Sequence, residues 1–182
     1  MHPWHDVDAG AKIPKHINVV VEIPKGSRNK YELDKATGAI RLDRVLYSAM
    51  EYPGDYGLIP RTYYDDGDPL DVLVMVNEPT FPRCIIPARP IGLFRMMDRN
   101  APDDKILAVP LNEPMFRDYY DIRDIPQHYL AEVAHFFAVY KDLEGAHVKT
   151  IGWENAAHAQ ERITYAVQLY QKKFKPHHRR TK

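Results

Sequence analysis

The sequence predicts an α+β chain that is mainly β, with strands first and two helices near the C-terminal end. Short apolar runs rich in valine and isoleucine recur up to about residue 109, separated by turn residues, as is typical of strands. Between residues 30 and 45, two segments alternate charged and apolar residues, which predicts a hairpin. Apolar residues at helical spacing appear only after Pro126, so the helices follow the sheet.

Length and composition limit the class of protein. At 182 residues the chain is most simply one domain, residues 1–182, with an N-terminal arm over 1–16 and a basic, frayed tail over 175–182. Lysine plus arginine and aspartate plus glutamate balance at 25 each, so no global charge attracts nucleic acid or a membrane. The single cysteine, Cys84, and the lack of a membrane-spanning apolar run predict a cytoplasmic protein.

The first predicted strand, residues 17–23, is rich in β-branched residues and carries one acid, Glu22. Alternation alone leaves open whether Glu22 faces solvent or a polar cavity. In the hairpin, period-two alternation places Lys30 and Glu32 on one face, and residues 35–38 form the turn. Residues 52–57 are expected to form a turn that contains two tyrosines.

The most distinctive segment is an acidic bend, residues 65–71, directly before an apolar strand at residues 72–76. Gly67 and Pro69 favour a tight turn there. The bend carries four carboxylates, on Asp65, Asp66, Asp68 and Asp71. Their mutual repulsion is unfavourable unless a positive charge lies among them. Crowded oxygen ligands on a stiff strand suit a hard cation such as Mg²⁺ or Mn²⁺.

Two other interpretations of the bend have to be considered. An acidic surface turn that only ends a loop would explain most bends of this composition. A calcium loop of the EF-hand type does not fit. Counted from Asp66, its sixth position would be Asp71 instead of glycine and its twelfth Asn77 instead of glutamate. The choice between a metal site and a surface turn therefore depends on the rest of the chain.

The second half of the chain repeats the pairing of an acidic loop with an apolar strand. Residues 85–97 predict a strand interrupted by prolines, with edges or bulges. An acidic loop over residues 98–105 and a strand over 106–109 follow, and in a small barrel such loops can meet at one rim. One helix is predicted from Pro126 to about residue 143, and a second from near Asn155, a good N-cap.

These motifs together resemble the family I soluble inorganic pyrophosphatases from about residue 16 to residue 153. Residues 66–71 match the family signature D-G-D-P-x-D, and V-E-I-P, K-Y-E and Y-P-x-x-Y-G segments also match. The resemblance implies a distorted five-stranded, OB-like β-barrel flanked by two C-terminal helices. It also implies an inorganic diphosphatase, which hydrolyses pyrophosphate to two phosphates with a metal-activated water and drives pyrophosphate-releasing biosynthetic reactions forward.

The resemblance further implies a role for each matching residue. The implied metal-binding residues are Asp66, Asp71, Asp103, Asp98, Glu22 and Glu32, the two glutamates acting through metal-bound waters. The implied substrate-binding residues are Lys30, Arg44, Tyr56, Tyr140, Lys141 and Lys105, with Tyr52 in support. Asp68 is the implied general base, and Tyr56, Arg44 and Lys141 are the other catalytic groups. The implied cofactor is Mg²⁺, several ions per site, with Mn²⁺ or Zn²⁺ as alternatives.

Two departures from the family pattern and two rival classes remain. Asp55 stands where asparagine is commoner, and residues 99–102 resemble an insertion in the second acidic loop. A barrel with tyrosines and basic residues could also bind single-stranded nucleic acid, but the neighbouring acids would repel a phosphate backbone. A metal-stabilised structural protein would not need Lys30, Arg44 and Lys141 beside the acids.

The resemblance implies a homo-oligomer, with a hexamer favoured, and leaves open whether the helix bearing His135 and Phe136 forms the interface or the core.

Overall fold

The computed structural model describes residues 1–174, so the predicted basic tail at 175–182 lies outside the described residues. The strands are β1 (Ile17–Ile23), β2 (Asn29–Leu33), β3 (Ile40–Val45), β4 (Asp55–Leu58), β5 (Asp71–Val74), β6 (Ile85–Asp98), β7 (Ala101–Pro102), β8 (Lys105–Pro110) and β9 (Val148–Asn155). The helices are α1 (Gln127–Val139) and α2 (Ala156–Lys173). The predicted order, strands first and then helices, is confirmed.

Five strands close into a ring in the order β1, β4, β5, β8 and β6, with β6 pairing back to β1. All neighbours in the ring are antiparallel except β5 and β8, which run parallel. The parallel pair brings the starts of β5 and β8 to the same end of the barrel. The prediction of a distorted, OB-like five-stranded barrel flanked by two helices is confirmed.

The prolines of β6 are accommodated by a bulge. The pairing of β6 with β8 changes register between Pro90 and Gly92, and β6 nevertheless continues for 14 residues. A bulge absorbs the missing amide hydrogen of a proline without ending the strand. The segment therefore forms one long strand that contacts β1, β8, β7 and β9 in turn.

Two strands differ from the sequence-based expectation. Residues 55–57, expected as part of a turn over 52–57, lie in the fully buried strand β4. Gly57 allows this, because a Cβ atom there would lie 2.1 Å from the carbonyl oxygen of Val20 in β1. Strand β9 was not predicted, since residues 148–155 mix polar and apolar side chains and none of them is fully buried. It forms by pairing with residues 92–98 of β6.

The two helices lie close to their predicted positions. Helix α1 ends at Val139 and is followed by a 3₁₀ turn at Asp142–Glu144, which Gly145 terminates with φ +72°. Helix α2 begins after Asn155, whose side chain accepts a hydrogen bond from the His158 backbone amide. Phe136 of α1 is buried in the core, so this residue of α1 serves packing.

Alternate residues of the barrel strands pack against the two helices. In β5, Val72 and Val74 belong to an apolar cluster with Ile163 of α2, whereas Leu73 belongs to a cluster with Phe137 of α1. Trp4 of the N-terminal arm is buried, and its indole nitrogen donates to the carbonyl oxygen of Thr62 at 2.7 Å. Within residues 1–174, no helix combines the length and hydrophobicity needed to cross a lipid bilayer.

Candidate active site

A cleft of about 450 Å³ opens at the end of the barrel where β5 and β8 begin. Every site residue named in the sequence analysis lines this cleft except Arg44 and Tyr52. The acidic lining residues are Glu22, Glu32, Asp66, Asp68, Asp71, Asp98 and Asp103. The basic lining residues are Lys30, Lys35, Arg99, Lys105 and Lys141. The two acidic loops therefore meet at one rim, as a small barrel allows.

Asp71 lies among the acidic residues of the cleft and contacts several of its other side chains. The parallel register of β5 and β8 places Asp71 beside Lys105, whose ammonium group donates to Asp71 Oδ2 at 2.6 Å and also contacts Asp103. The Tyr56 hydroxyl, from β4, donates to the same Asp71 oxygen at 2.6 Å. Although burial opposes the charged form of Lys105, the carboxylates of Asp71 and Asp103 raise its pKa well above the ordinary value.

Burial raises the pKa of Asp71, and two further carboxyl groups of the cleft also have raised pKa values. Burial, reinforced by the charge of Asp71, raises the pKa of Glu22 to about 8. Glu22 faces the polar cleft and not solvent, and it accepts a hydrogen bond from the Leu33 amide at 2.7 Å. Burial, with Asp71 and Asp68 adding repulsion, raises the pKa of Asp66 to about 6. Both groups would be more stable as carboxylates with a cation beside them.

The acidic bend presents Asp66 and Asp68 on a tight turn. Gly67 has φ +89°, a conformation that glycine adopts without strain. The amide of Asp68 donates to Asp66 Oδ1 at 3.0 Å, and the Asp68 carbonyl oxygen accepts from the Tyr64 amide at 2.7 Å. The Asp68 carboxylate remains 44% exposed, so a water molecule can reach it.

Two further lysines of the cleft are paired with acidic side chains. Lys141, just after α1, donates to Asp98 Oδ2 at 2.7 Å, and its ammonium lies 5.2 Å from the ring centre of Tyr140. Lys30 of β2 contacts Glu32 and Asp43. These lysines are paired with acids, yet they face a cleft that an anion can enter.

Arg44 lies outside the cleft lining. Its Nε donates to Glu144 Oε1 at 2.9 Å and its Nη2 lies 2.8 Å from Glu144 Oε2, so the fork of the guanidinium binds a carboxylate in two places. Asp43 contacts the same side chain. This geometry is the one that a guanidinium offers to a phosphate group.

Lys35 is a cleft residue that sequence reasoning missed. It lies in the turn between β2 and β3, and its ammonium group contacts the carboxylate of Asp68. Alternation along a strand predicts faces but not the direction of a turn residue, so no local signal indicated this contact. Arg99 also lines the cleft, from the insertion-like part of the second acidic loop.

The cleft residues fit a divalent cation by their chemistry. The candidate ligands offer only oxygen atoms, which hard cations prefer. Among residues 1–174, Asp98 Oδ1 is a buried oxygen without a hydrogen-bond partner. In the same part of the chain, no three acidic, histidine or cysteine side chains are already arranged to hold a metal ion. Lys105 instead contacts both Asp71 and Asp103. Binding an ion there requires these side chains to rearrange.

Acidic side chains that can hold divalent cations, together with basic side chains that can bind phosphoryl oxygens, form the combination that metal-dependent phosphoryl transfer uses. The family model for inorganic pyrophosphatase matches residues 19–171. The chain therefore belongs to the inorganic pyrophosphatase family, as the resemblance implied.

Individual relatives agree with this assignment over nearly the whole chain. The chain is 50% identical to an inorganic pyrophosphatase of Haloferax volcanii over 172 residues, which cover 94% of this chain and 97% of that protein. It is 48% identical to soluble inorganic pyrophosphatase 1 of Arabidopsis thaliana over 169 residues, 93% of this chain and 80% of that protein. The crystal structure of inorganic pyrophosphatase from Thermus thermophilus superposes with a TM-score of 0.90 at 39% identity, covering 94% of this chain and 99% of that one.

Proposed function

We propose that this chain is an inorganic diphosphatase, which hydrolyses pyrophosphate to two phosphates with a divalent cation and so draws pyrophosphate-releasing biosynthetic reactions forward. The observation that carries the proposal is the meeting of seven acidic and five basic side chains in one cleft. Acids alone would repel pyrophosphate, and bases alone would bind it without needing a metal. Family membership is the second support.

In this proposal, the substrate is bound by basic side chains and by tyrosine hydroxyls. Lys30 and Lys141 supply point charges for phosphoryl oxygens, and Tyr56 and Tyr140 donate hydrogen bonds without adding charge. Arg44 supplies a two-pronged donor once its fork turns from Glu144 to a phosphate group. These contacts position the phosphorus atom and neutralise charge, which is most of what phosphoryl transfer requires.

The cations would be bound by Asp66, Asp71, Asp103 and Asp98, with Glu22 and Glu32 accepting hydrogen bonds from waters around them. A bound divalent ion would neutralise phosphate charge and lower the pKa of water. Mg²⁺ is the proposed ion, with Mn²⁺ or Zn²⁺ as alternatives. Lys105 stabilises Asp71 and Asp103 as carboxylates, since its ammonium group contacts both.

Asp68 acts as the general base that accepts the proton of the attacking water. Its carboxylate is exposed to the cleft, next to the ligand Asp66, and is not buried among other acids. A group that takes up a proton during the reaction must be reachable by water and within hydrogen-bond distance of it. Asp68 meets the first condition by its place on the bend.

We also propose a homo-oligomer, with a hexamer favoured, located in the cytoplasm. The single cysteine fits a reducing compartment. Light scattering after size-exclusion chromatography measures the oligomeric state, and a monomer would contradict this part of the proposal.

The test of the activity is phosphate release by the purified chain. With pyrophosphate and Mg²⁺ we expect rapid release, and with EDTA we expect none. An oligonucleotide offered in place of pyrophosphate should yield no phosphate and should not bind. Release that is equal in Mg²⁺ and EDTA would contradict metal-dependent hydrolysis, and oligonucleotide binding without hydrolysis of pyrophosphate would favour the nucleic-acid class.

A further inference from the structure

A buried polar cluster lies directly behind the two acidic loops. Its centre is Asp104, which is only 3% exposed and follows the cleft residue Asp103. Asp104 Oδ2 accepts a hydrogen bond from the Tyr64 hydroxyl at 2.9 Å and lies 3.1 Å from Arg162 Nη1. Its Oδ1 accepts from the Met96 amide of β6 at 3.3 Å. None of these four residues lines the cleft.

The cluster connects three parts of the fold. Arg162 projects from α2 and contacts both the Asp104 carboxylate and the Tyr64 hydroxyl. The guanidinium carbon also lies 5.6 Å from the ring centre of Tyr64. Tyr64 precedes the acidic bend, whereas Asp104 ends the second acidic loop. One arginine of the last helix therefore contacts the base of both loops.

Backbone hydrogen bonds connect the cluster to the two loops that line the cleft. The Gly67 amide donates to the Tyr64 carbonyl oxygen at 3.0 Å, so the bend carrying Asp66 is closed on Tyr64. The Asp103 amide donates to the Met96 carbonyl oxygen at 3.0 Å, next to the Met96 amide that contacts Asp104. A displacement of the cluster would therefore change the separation of Asp66 and Asp103.

We propose that Asp104, Arg162 and Tyr64 form a positioning clamp that sets the separation of the acidic bend and the second acidic loop for divalent-cation binding. The proposal rests on the proposed function for the identity of the ligands. None of the three residues contacts the substrate or the cation. Each acts through a neighbour: Tyr64 through the bend that carries Asp66, and Asp104 through Asp103.

The physical basis is that a buried carboxylate, here Asp104 paired with the partly buried Arg162, tolerates few arrangements. The Asp104 carboxylate and the Arg162 guanidinium carry opposite charges that compensate each other. Removing the arginine would leave the buried carboxylate uncompensated. Side chains behind metal ligands commonly determine metal affinity by orienting those ligands. The alternative is that the cluster only anchors α2 to the barrel, in which case it would affect stability but not cation affinity.

The test compares folded variants that lose one contact each. Tyr64→Phe removes the hydroxyl and keeps the ring, and Arg162→Lys keeps the charge but loses the planar fork. The matched control is Tyr165→Phe, one turn further along α2, which removes a hydroxyl that donates to Asp65 Oδ1 at 2.9 Å. Circular dichroism establishes that each variant is folded.

The main readout is the Mg²⁺ dissociation constant from calorimetry without substrate. We expect Tyr64→Phe and Arg162→Lys to raise it roughly tenfold, and Tyr165→Phe to leave it within twofold of wild type. The Mg²⁺ concentration for half-maximal pyrophosphate hydrolysis should rise by the same factor, while kcat at saturating Mg²⁺ stays near wild type.

Three results would overturn the clamp. The first is an unchanged dissociation constant in Tyr64→Phe and Arg162→Lys, with or without a loss of thermal stability, because that is the behaviour of a simple anchor. The second is an equal shift in Tyr165→Phe. The third is a fall in kcat at saturating Mg²⁺ with unchanged Mg²⁺ affinity. A wild-type chain that binds Mg²⁺ but hydrolyses no pyrophosphate would contradict the proposed function alone, because calorimetry still tests the clamp.

Discussion

At the residue scale, the cleft derives its chemistry from pairs of opposite charges that are only partly satisfied by one another. In the cleft, Lys105 contacts two carboxylates and Lys141 contacts Asp98. Arg44, outside the cleft lining, contacts Glu144 in the same way. In each pair the basic group can contact an anion and the acid can contact a cation. The same side chains therefore stabilise the fold without ligands and offer binding groups when ligands arrive.

Arg44 provides a test of geometry at constant charge. Arg44→Lys keeps the positive charge but replaces a two-pronged donor by a single ammonium group, so we expect kcat/KM for pyrophosphate to fall roughly tenfold or more. The control is Arg41→Lys on the same strand, where the arginine side chain is 71% exposed. Steady-state kinetics of both variants check this, and indistinguishable values would remove Arg44 from the substrate site.

Lys35 provides a second test at this scale. Lys35→Met removes the cation beside Asp68, so the proposed base loses a contact that orients it, and we expect kcat to fall about threefold to tenfold with KM unchanged. Both side chains are about half exposed, so the melting temperature should hardly change. Lys15→Met, at an exposed lysine of the N-terminal arm, is the control. Full activity in Lys35→Met would show that Asp68 does not depend on this pair.

At the element scale, periodic segments were predictable and segments defined by tertiary pairing were not. The valine and isoleucine runs of β1 and β5 and the alternation of β2 and β3 identified these strands directly. Strand β4 has no such signal, and it forms because β1 and β5 pair with it on both sides. Asp55, at its start, is fully buried and accepts hydrogen bonds from Thr80 and the Lys25 amide.

Gly57 tests the packing of β4. Gly57→Ala would place a methyl group 2.1 Å from the Val20 carbonyl oxygen, so β1 and β4 must separate. We expect the free energy of unfolding to fall by about 3 kcal/mol, the upper end of the usual cost of overpacking, because the contact is with backbone. At Gly145, where a Cβ meets nothing within 4 Å, Gly145→Ala should cost only about 1–2 kcal/mol for its left-handed backbone. Denaturant titration measures both, and equal losses would contradict the close approach.

At the scale of the whole molecule, the family signature predicted more of the site than local patterns could. The position-by-position match identified twelve cleft residues that lie on five barrel strands, β2, the bend and the end of α1. No periodicity in the sequence brings Glu22 of β1 close to Asp103 before β8. Contacts made by turn residues, such as Lys35 with Asp68, and by partly buried side chains of α2, such as Arg162 with Asp104, had no counterpart in the motifs.

The whole fold should also respond to the cation. If the proposed Mg²⁺ binds only the folded cleft, Mg²⁺ at about 100 times its dissociation constant should stabilise the protein by about 2.7 kcal/mol. For a chain of this size that corresponds to a rise of roughly 5–10 °C in Tm. Thermal unfolding in Mg²⁺ and in EDTA measures the difference. A Tm that is identical in both solutions would contradict cation binding to the folded state.

The central claim, that pyrophosphate is hydrolysed at this cleft with cations bound by the acidic bend, is tested most directly by one comparison of phosphate release. Wild type, Asp71→Asn and Asp65→Asn are titrated with Mg²⁺ in the presence of pyrophosphate, after circular dichroism has established that they are folded. Asp71 is a proposed ligand in the cleft, whereas Asp65 lies outside its lining and contacts Tyr165. We predict that Asp71→Asn weakens the Mg²⁺ response and lowers turnover at least about a hundredfold, while Asp65→Asn changes it only about threefold. Equal losses in the two variants would contradict the account.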